Sequence, residues 1–249
     1  MSIFHKEIKK KEIKTIEHFI ESTEVDKFLE LKMSTLFFLM QECATQQLED
    51  FDMGKATTVD VGIYWVITRY SVDIVRMPRY LETVRISTYF KKASKFMFQR
   101  NFVILDAKGQ TIIRASSTWC VLNKSNHSIN FDPFPGKEVP TYSLDGELPS
   151  PEKVGDTESQ VIDSRKVRYT DLDLHGHVSN TKYIDYIVDS HDGDFYDKHR
   201  ISRFEINYEK ELMSNDSFEV LSNSASPETI YIKVSDKTIT KTKLTYSNR

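Results

Sequence analysis

Ile67–Ser87, ITRYSVDIVRMPRYLETVRIS, lies under Ile201–Leu221, ISRFEINYEKELMSNDSFEVL, without a gap. Arg69 meets Arg203, Tyr70 meets Phe204, Val72 meets Ile206, Val84 meets Phe218 and Ile86 meets Val220. Both stretches alternate apolar and polar residues, break at a polar turn and alternate again. A period of two is that of a strand, so each stretch reads as strand, turn, strand. A chain that repeats such a unit holds two copies of one supersecondary block, and neither copy can bury its apolar face alone.

The repeat extends in both directions. Upstream, Met33-Ser34-Thr35 and the following LFFLMQECATQQL can be set on Val178-Ser179-Asn180 and the following TKYIDYIVDS. Ser with Thr or Asn is suited to capping a helix start. Large apolar residues then recur at helical spacing, at Leu36, Leu39, Met40, Cys43 and Leu48 in one copy and Tyr183, Ile184 and Ile187 in the other. Downstream, a hairpin is expected about Asp106–Gly109 and another about Ser235–Lys237. Each copy therefore runs short strand, helix, then four or five strands. That order predicts an α+β fold in which a curved antiparallel sheet wraps around one helix, a hotdog. Two copies in one chain make a double, or tandem, hotdog that pairs as a pseudo-dimer.

Residues 1–130 form the first copy and 164–249 the second. Between them 131–163 holds five of the seven prolines and shows no periodicity, which reads as an extended linker. A hydrophobic fraction of 39% supports a real core. The formal charge of −3 argues against nucleic-acid binding, which leaves a basic footprint. Cys43 and Cys120 stand apart with no CxxC, which fits a reducing compartment and no disulfide framework. The lysine-rich N-terminus has no apolar stretch behind it, and no run is long enough to span a bilayer. A cytoplasmic location is the expectation.

The stretch YTDLDLHGHVSNTKYIDYIVDS, Tyr169–Ser190, places Asp173, His175 and His177 two residues apart before a helix. Three readings compete. In an extended strand all three side chains face one way, so they are a possible metal triad, although Gly176 favours a loop and no second Cys or His cluster supports an ion. They can instead satisfy open N–H groups at the helix start. Or they form a catalytic corner, because a helix N-terminus carries partial positive charge and stabilises an oxyanion. No GxSxG nucleophile is present, so water activated by a carboxylate or histidine fits that third reading. The helix-start match sets His177 on Lys32, His175 on Glu30 and Asp173 on Phe28, and the strand match sets Glu211 on Met77. One reactive corner per chain follows.

FIESTEVDKFLELKMSTLFFLMQECA, YWVITRYSVDIVRMPRYLETVRISTYF, ASKFMFQRNFVI, TWCVLN, VRYTDLDLHGHVSNTKYIDYIVDS and FEINYEKEL together resemble the acyl-acyl-carrier-protein (acyl-ACP) thioesterases of plants and bacteria, over nearly the whole chain. The resemblance implies a double hotdog that hydrolyses the thioester between a fatty acyl chain and carrier-protein phosphopantetheine. No cofactor or metal is implied, since the carrier brings the phosphopantetheine. The family's catalytic Asp, Asn and His pattern, DxNxH, falls on Asp173, His175 and His177, and its later Glu falls on Glu211. Two positions depart from it, with His175 where the family has Asn and Leu212 where a Cys often follows the Glu. With no thiol at Leu212, the expectation is water activated by Glu211, His177 oriented by Asp173, and an oxyanion held by His177 and the N–H groups near Val178 and Ser179, where Asn180 continues the helix start. Neutral imidazole donates one hydrogen bond and accepts one, so His175 is a partial stand-in for the amide.

By the same resemblance an acyl pocket runs into the first half, where Phe37, Phe38 and Met40 are its candidate lining; spacing alone favours core packing for them. The carrier protein is expected to be acidic and to bind transiently, with Lys91, Lys92, Lys95 and Arg100 as the densest basic stretch and a solvated strand turn as its alternative reading. An acyl-CoA thioesterase and a non-catalytic acyl-thioester-binding hotdog protein remain the competing functions. Monomer and homodimer are both compatible with the tandem layout.

Overall fold

The computed structural model describes residues 12–94, 96–142, 151–173 and 176–249. In the first half, β1 (Lys14–Phe19) leads to the long helix α1 (Met33–Asp50) and the short α2 (Lys55–Asp60). Four strands follow, β2 (Ile63–Ile74), β3 (Thr83–Ala93), β4 (Phe98–Leu105) and β5 (Thr111–Asn123). The second half repeats the order with β6 (Gln160–Lys166), α3 (Asn180–Val188), α4 (Gly193–Lys198), β7 (His199–Tyr208), β8 (Ser217–Ser222), β9 (Glu228–Val234) and β10 (Lys237–Asn248).

All the strands join one ten-stranded sheet in the order β1-β3-β4-β5-β2-β7-β10-β9-β8-β6. Exchanging each strand for its counterpart reverses that order, which is the signature of a two-fold relation. The pairing of β2 with β7 locates the axis. Ser71 faces Glu205 there, and the flanking pairs Arg69↔Asn207 and Asp73↔Arg203 exchange across it. These are the matches that the ungapped sequence alignment makes. Arg203 fastens the seam, donating to Asp73 (2.5 Å), Ser71 (3.0 Å) and Glu205 (3.1 Å).

Helix α1 buries Leu36, Phe37, Leu39, Met40, Cys43, Ala44 and Gln47, a stripe at helical spacing, and packs beside α3. Phe37 reaches both halves, meeting the ring of Tyr70 at 5.0 Å and that of Phe204 at 5.2 Å, edge-on in each case. Phe38 lies off the stripe and is 49% exposed, so it does not line an interior pocket beside Phe37 and Met40.

The proline-rich segment is extended where it is described, and it is pinned to the second half. Val154 N–H donates to Asn207 (2.7 Å), and Thr157 N–H donates to the Tyr231 hydroxyl (2.7 Å). Its last residues, from Gln160 on, belong to β6 rather than to a linker. The expected hairpins are present. Gly109 N–H closes the first on Asp106 (2.9 Å), and the second turns between Val234 and Lys237.

The expected side-chain helix caps are absent. Helix α1 begins at Met33 after Lys32, helix α3 begins at Asn180 after Ser179, and neither start is capped by a side-chain hydrogen bond. The correct match therefore pairs Met33 with Asn180, not with Val178.

Candidate active site

Two equivalent backbone corners precede the two long helices. In the second half Asp173 N–H donates to His177 O (2.8 Å), Gly176 N–H to Asp173 O (3.1 Å), Val178 N–H to Leu212 O (3.0 Å) and Ser179 N–H to Asp171 O (2.9 Å). In the first half Asp26 N–H donates to Glu30 O (2.8 Å), Leu29 N–H to Asp26 O (3.1 Å), Leu31 N–H to Pro78 O (2.8 Å) and Lys32 N–H to Glu24 O (2.9 Å). Gly176 at φ 80° and Leu29 at φ 58° make the same left-handed turn, which favours glycine and strains leucine.

This frame corrects the helix-start alignment. Asp26 is the counterpart of Asp173, Phe28 of His175 and Glu30 of His177, while Met77 remains the counterpart of Glu211. The first corner thus keeps an aspartate but lacks both partners. Its Glu30 is bound instead by Arg249 (2.9 Å), whose guanidinium covers the Phe28 ring at 3.7 Å.

In the second corner the differences converge. Strand β7 runs into the loop that carries Glu211, and the bridge of His177 to Met213 lays that loop against the helix start. Glu211 Oε2 stands 3.3 Å from His177 Nδ1, with side chains 48% and 25% exposed respectively. Asp173 Oδ1 accepts the His177 backbone N–H at 3.3 Å. The structure brings together Asp173, His177 and Glu211 as a solvent-accessible acid–base cluster. His175 lies outside the described residues. Among the described residues no group of three His, Cys, Asp or Glu side chains is arranged to hold a metal ion.

The oxyanion donors need correction. The N–H groups of Val178 and Ser179 are consumed by Leu212 O and Asp171 O. The next two, of Asn180 and Thr181, open the helix, and Lys182 N–H is the first to bond back, to Ser179 O (2.9 Å). An uncapped first turn leaves such donors available to a ligand. Asn180 thus keeps a place in the site through its backbone.

Two residues that the sequence reading passed over shape the cluster. The Tyr183 hydroxyl accepts the N–H of Leu212 (2.8 Å), fixing the residue that follows Glu211. Burial raises the Tyr183 hydroxyl pKa, and the charges of Glu211 and Asp173 raise it further, so it stays protonated. In the first half Leu36 replaces this tyrosine, and Pro78 has no N–H to offer. Tyr64, on β2 of the other half, has its hydroxyl pKa raised by partial burial and then by the charge of Glu211. Its hydroxyl pairs with His127 Nδ1 at 2.9 Å.

No thiol competes for the chemistry. Leu212 is fully buried. Burial pushes Cys43 up to about 11 and raises Cys120, so both remain thiols at neutral pH. Two clefts, of about 830 and about 790 Å³, flank the corners. The smaller lies over the first corner, the larger beside β6, and Asp171 lines both.

The family model for the acyl-ACP thioesterase N-terminal domain matches residues 12–130, and that for the C-terminal domain matches residues 155–247. An oleoyl-acyl carrier protein thioesterase of Arabidopsis thaliana is 25% identical over 222 residues, 81% of this chain and 60% of that protein. A dodecanoyl-[acyl-carrier-protein] hydrolase of Cinnamomum camphora is 26% identical over 170 residues, covering 64% of this chain and 44% of that protein. The chain thus spans roughly half the length of these curated relatives. Among solved structures, an acyl-ACP thioesterase from Bacteroides thetaiotaomicron superposes with a TM-score of 0.88 at 24% identity, over 95% of this chain and 98% of that one. The 12:0-ACP thioesterase of Umbellularia californica gives 0.79 at 18% identity, over 95% and 98%. These structures share the fold.

Proposed function

The chain belongs to the acyl-ACP thioesterase family, and from that premise we propose that it hydrolyses a fatty acyl-ACP thioester to free fatty acid and the carrier thiol. The observation that carries this reading is the Glu211–His177 pair at 3.3 Å. It exists only in the second of two otherwise equivalent corners.

Glu211 is the general base. Its carboxylate takes a proton from a water molecule whose oxygen attacks the thioester carbonyl carbon. The carbonyl oxygen becomes an oxyanion facing the Asn180 and Thr181 N–H groups at the positive end of α3. His177 orients Glu211 through Nδ1–H, the one N–H of a neutral imidazole, so the oxyanion is left to the backbone donors. Asp173 holds the His177 backbone, so the imidazole stays in register with Glu211. When the intermediate collapses the C–S bond breaks, and the proton held by Glu211 returns to the leaving sulfur. Water is the nucleophile because no activated thiol is at hand.

The test is release of free thiol from acyl-ACP. Glu211→Gln should lower kcat by about 10²- to 10⁴-fold, the usual contribution of a positioned base. Wild-type protein that binds acyl-ACP without releasing thiol, or a Glu211→Gln variant at full rate, would overturn the proposal. Equal rates on acyl-CoA and acyl-ACP would shift the substrate to the coenzyme thioester.

A further inference from the structure

The larger cleft, of about 830 Å³, lies along β6, the last strand of the sheet on the side of the catalytic half. Four cations line it, Arg165, Lys166, Arg168 and Lys233, against the carboxylates of Glu219 and Asp171. Arg165 is neutralised by Asp163 (2.5 Å) and Asp189 (3.0 Å). Lys233 sits directly across the strands from Glu219. Asp171 is buried, and one of its carboxylate oxygens accepts the Arg168 backbone N–H (2.7 Å). Lys166 and Arg168 are exposed and, among the described residues, form no ion pair. Beside them Tyr169 is 89% exposed. A basic groove with an exposed aromatic ring is conspicuous on a chain whose formal charge is −3.

The internal repeat supplies a control. Lys166 pairs with Ser217 as Phe19 pairs with Thr83, and Arg165 pairs with Phe218 as His18 pairs with Val84. Glu219 pairs with Lys233 as Arg85 pairs with Leu105. Arg168 O accepts from Asp171 N–H as Glu21 O accepts from Glu24 N–H. The first half therefore holds His18, Phe19, Glu21 and Leu105 where the second holds four cations. Edge strands often carry lysine to resist edge-to-edge pairing. The β1 edge has the same exposure to that hazard, but its one lysine, Lys14, is held by Asp50 (2.9 Å), and Glu17 and His18 follow it. The positive charge therefore goes with the catalytic corner, not with being an edge. It is also close to that corner, since Asp171 precedes Asp173 by two residues and Val167 N–H binds Asp216 O (2.9 Å) on the loop after Glu211.

Building on the thioester-hydrolase reading of that corner, we propose that the β6 edge is where an acidic protein surface docks, that of the carrier delivering the thioester. Lys166 and Arg168 supply the attraction, and Tyr169 supplies an apolar contact at the rim. This replaces the stretch at Lys91, Lys92, Lys95 and Arg100 as the docking surface. Arg100 is 2% exposed inside the first half, and Lys95 lies outside the described residues.

The experiment compares two substrates on the full chain, acyl-ACP and the same acyl group on pantetheine alone, which lacks the acidic protein. The double variant Lys166→Glu, Arg168→Glu should raise KM for acyl-ACP by about tenfold or more, because opposed charge at an interface becomes like charge. Its kcat/KM for acyl-pantetheine should stay within about twofold, and added salt should weaken the wild-type preference for acyl-ACP. An unchanged KM for acyl-ACP, or an equal loss on both substrates, overturns the assignment. So does a larger rise in KM from Lys91→Glu, Lys92→Glu. Carrier binding is measured separately by titration calorimetry without turnover. A wild type that binds carrier through Lys166 and Arg168 but hydrolyses neither substrate would sink the hydrolase reading and leave the docking surface standing.

Discussion

Replacing Phe37 with alanine tests whether the two halves are one cooperative body. The ring is 3% exposed and sits between Tyr70 of the first half and Phe204 of the second. Full burial of such a side chain contributes about 1.5–3 kcal/mol. Each of its two edge-on ring contacts adds about 0.5–1.5 kcal/mol. The expected loss is about 3–5 kcal/mol, the range seen for Phe to Ala in filled cores. For a chain of this length each kcal/mol moves Tm by about 2–4 °C, so Tm should fall by roughly 6–20 °C. Calorimetry and urea unfolding followed by fluorescence are the assays, with Phe38→Ala as the exposed control. One coincident transition at lower temperature is expected. A Tm within about 2 °C of wild type, less than a single kcal/mol would produce, would refute the packing argument. If the same variant also accepted longer acyl chains at full stability, Phe37 would be a pocket wall and not a seam.

Tyr183→Phe removes the acceptor for a buried N–H, that of Leu212. It should cost about 1–3 kcal/mol in chemical denaturation, and it should lower kcat more than it raises KM because the Glu211 loop loosens. Leu212→Cys, which installs the residue often found there in the family, should destabilise by about 1–3 kcal/mol through lost burial. It should leave the hydrolysis rate no higher and insensitive to alkylating reagents, since the position faces the core; a faster, alkylation-sensitive enzyme would contradict the water mechanism. Glu228 is buried, which raises its carboxyl pKa, but bonds from His191 (2.7 Å), Ser222 and Tyr246 (2.7 Å) outweigh that and hold it below the usual range. A depressed folded pKa stabilises above the unfolded value and is lost as pH falls through the folded one. Glu228→Gln should therefore be less stable at neutral pH and show a flatter acid limb in Tm against pH.

How legible these features were in the sequence depended on which atoms enforce them. The strand match could be read without error because a slip of one residue turns every side chain to the wrong face. That constraint extends to the β2–β7 seam, where Ser71 and Glu205 mark the axis. The helix starts were misread because serine at 34 and at 179 suggested caps that the backbone does not use. The corner frame is made of N–H and C=O groups that every residue but proline supplies. Leucine at 29 therefore stands where glycine stands at 176, and letter matching does not reveal it. Asp173 and His177 were legible because two such groups stand close together before a helix start, whereas Glu211 was reached only through the family resemblance of FEINYEKEL. Tyr183 was not, because on a helix it reads as one more apolar residue, and its partner Leu212 lies in another element. Arg100 was misplaced by its neighbours in sequence. The strand alternation that puts Phe98, Arg100 and Phe102 on one buried face was the signal that would have found it.

Arg100 also shows how the repeats have diverged inside as well as at their corners. Thr88 pairs with Phe102 as Ser222 pairs with Ile230, so Arg100 and Glu228 occupy equivalent interior positions with opposite charge. Glu228 is met by a histidine, a serine and a tyrosine. Arg100 donates to Gln47 (2.5 Å) and Thr88 (3.2 Å) and lies over the Phe90 ring at 4.0 Å, but among the described residues its Nη2 has no partner, nor has the hydroxyl of Tyr70. Burial pulls its pKa down to about 10, so it still carries its charge at neutral pH. An interior charge without a counter-ion is costly, and selection for stability alone favours completing such a network, as the second half has done around Glu228. The second half satisfies its interior charge at Glu228, yet among the described residues the buried hydroxyls of Ser190, Thr240 and Thr242 have no partner there, so the contrast between the halves is in how each meets its one interior charge and not in polar satisfaction as a whole.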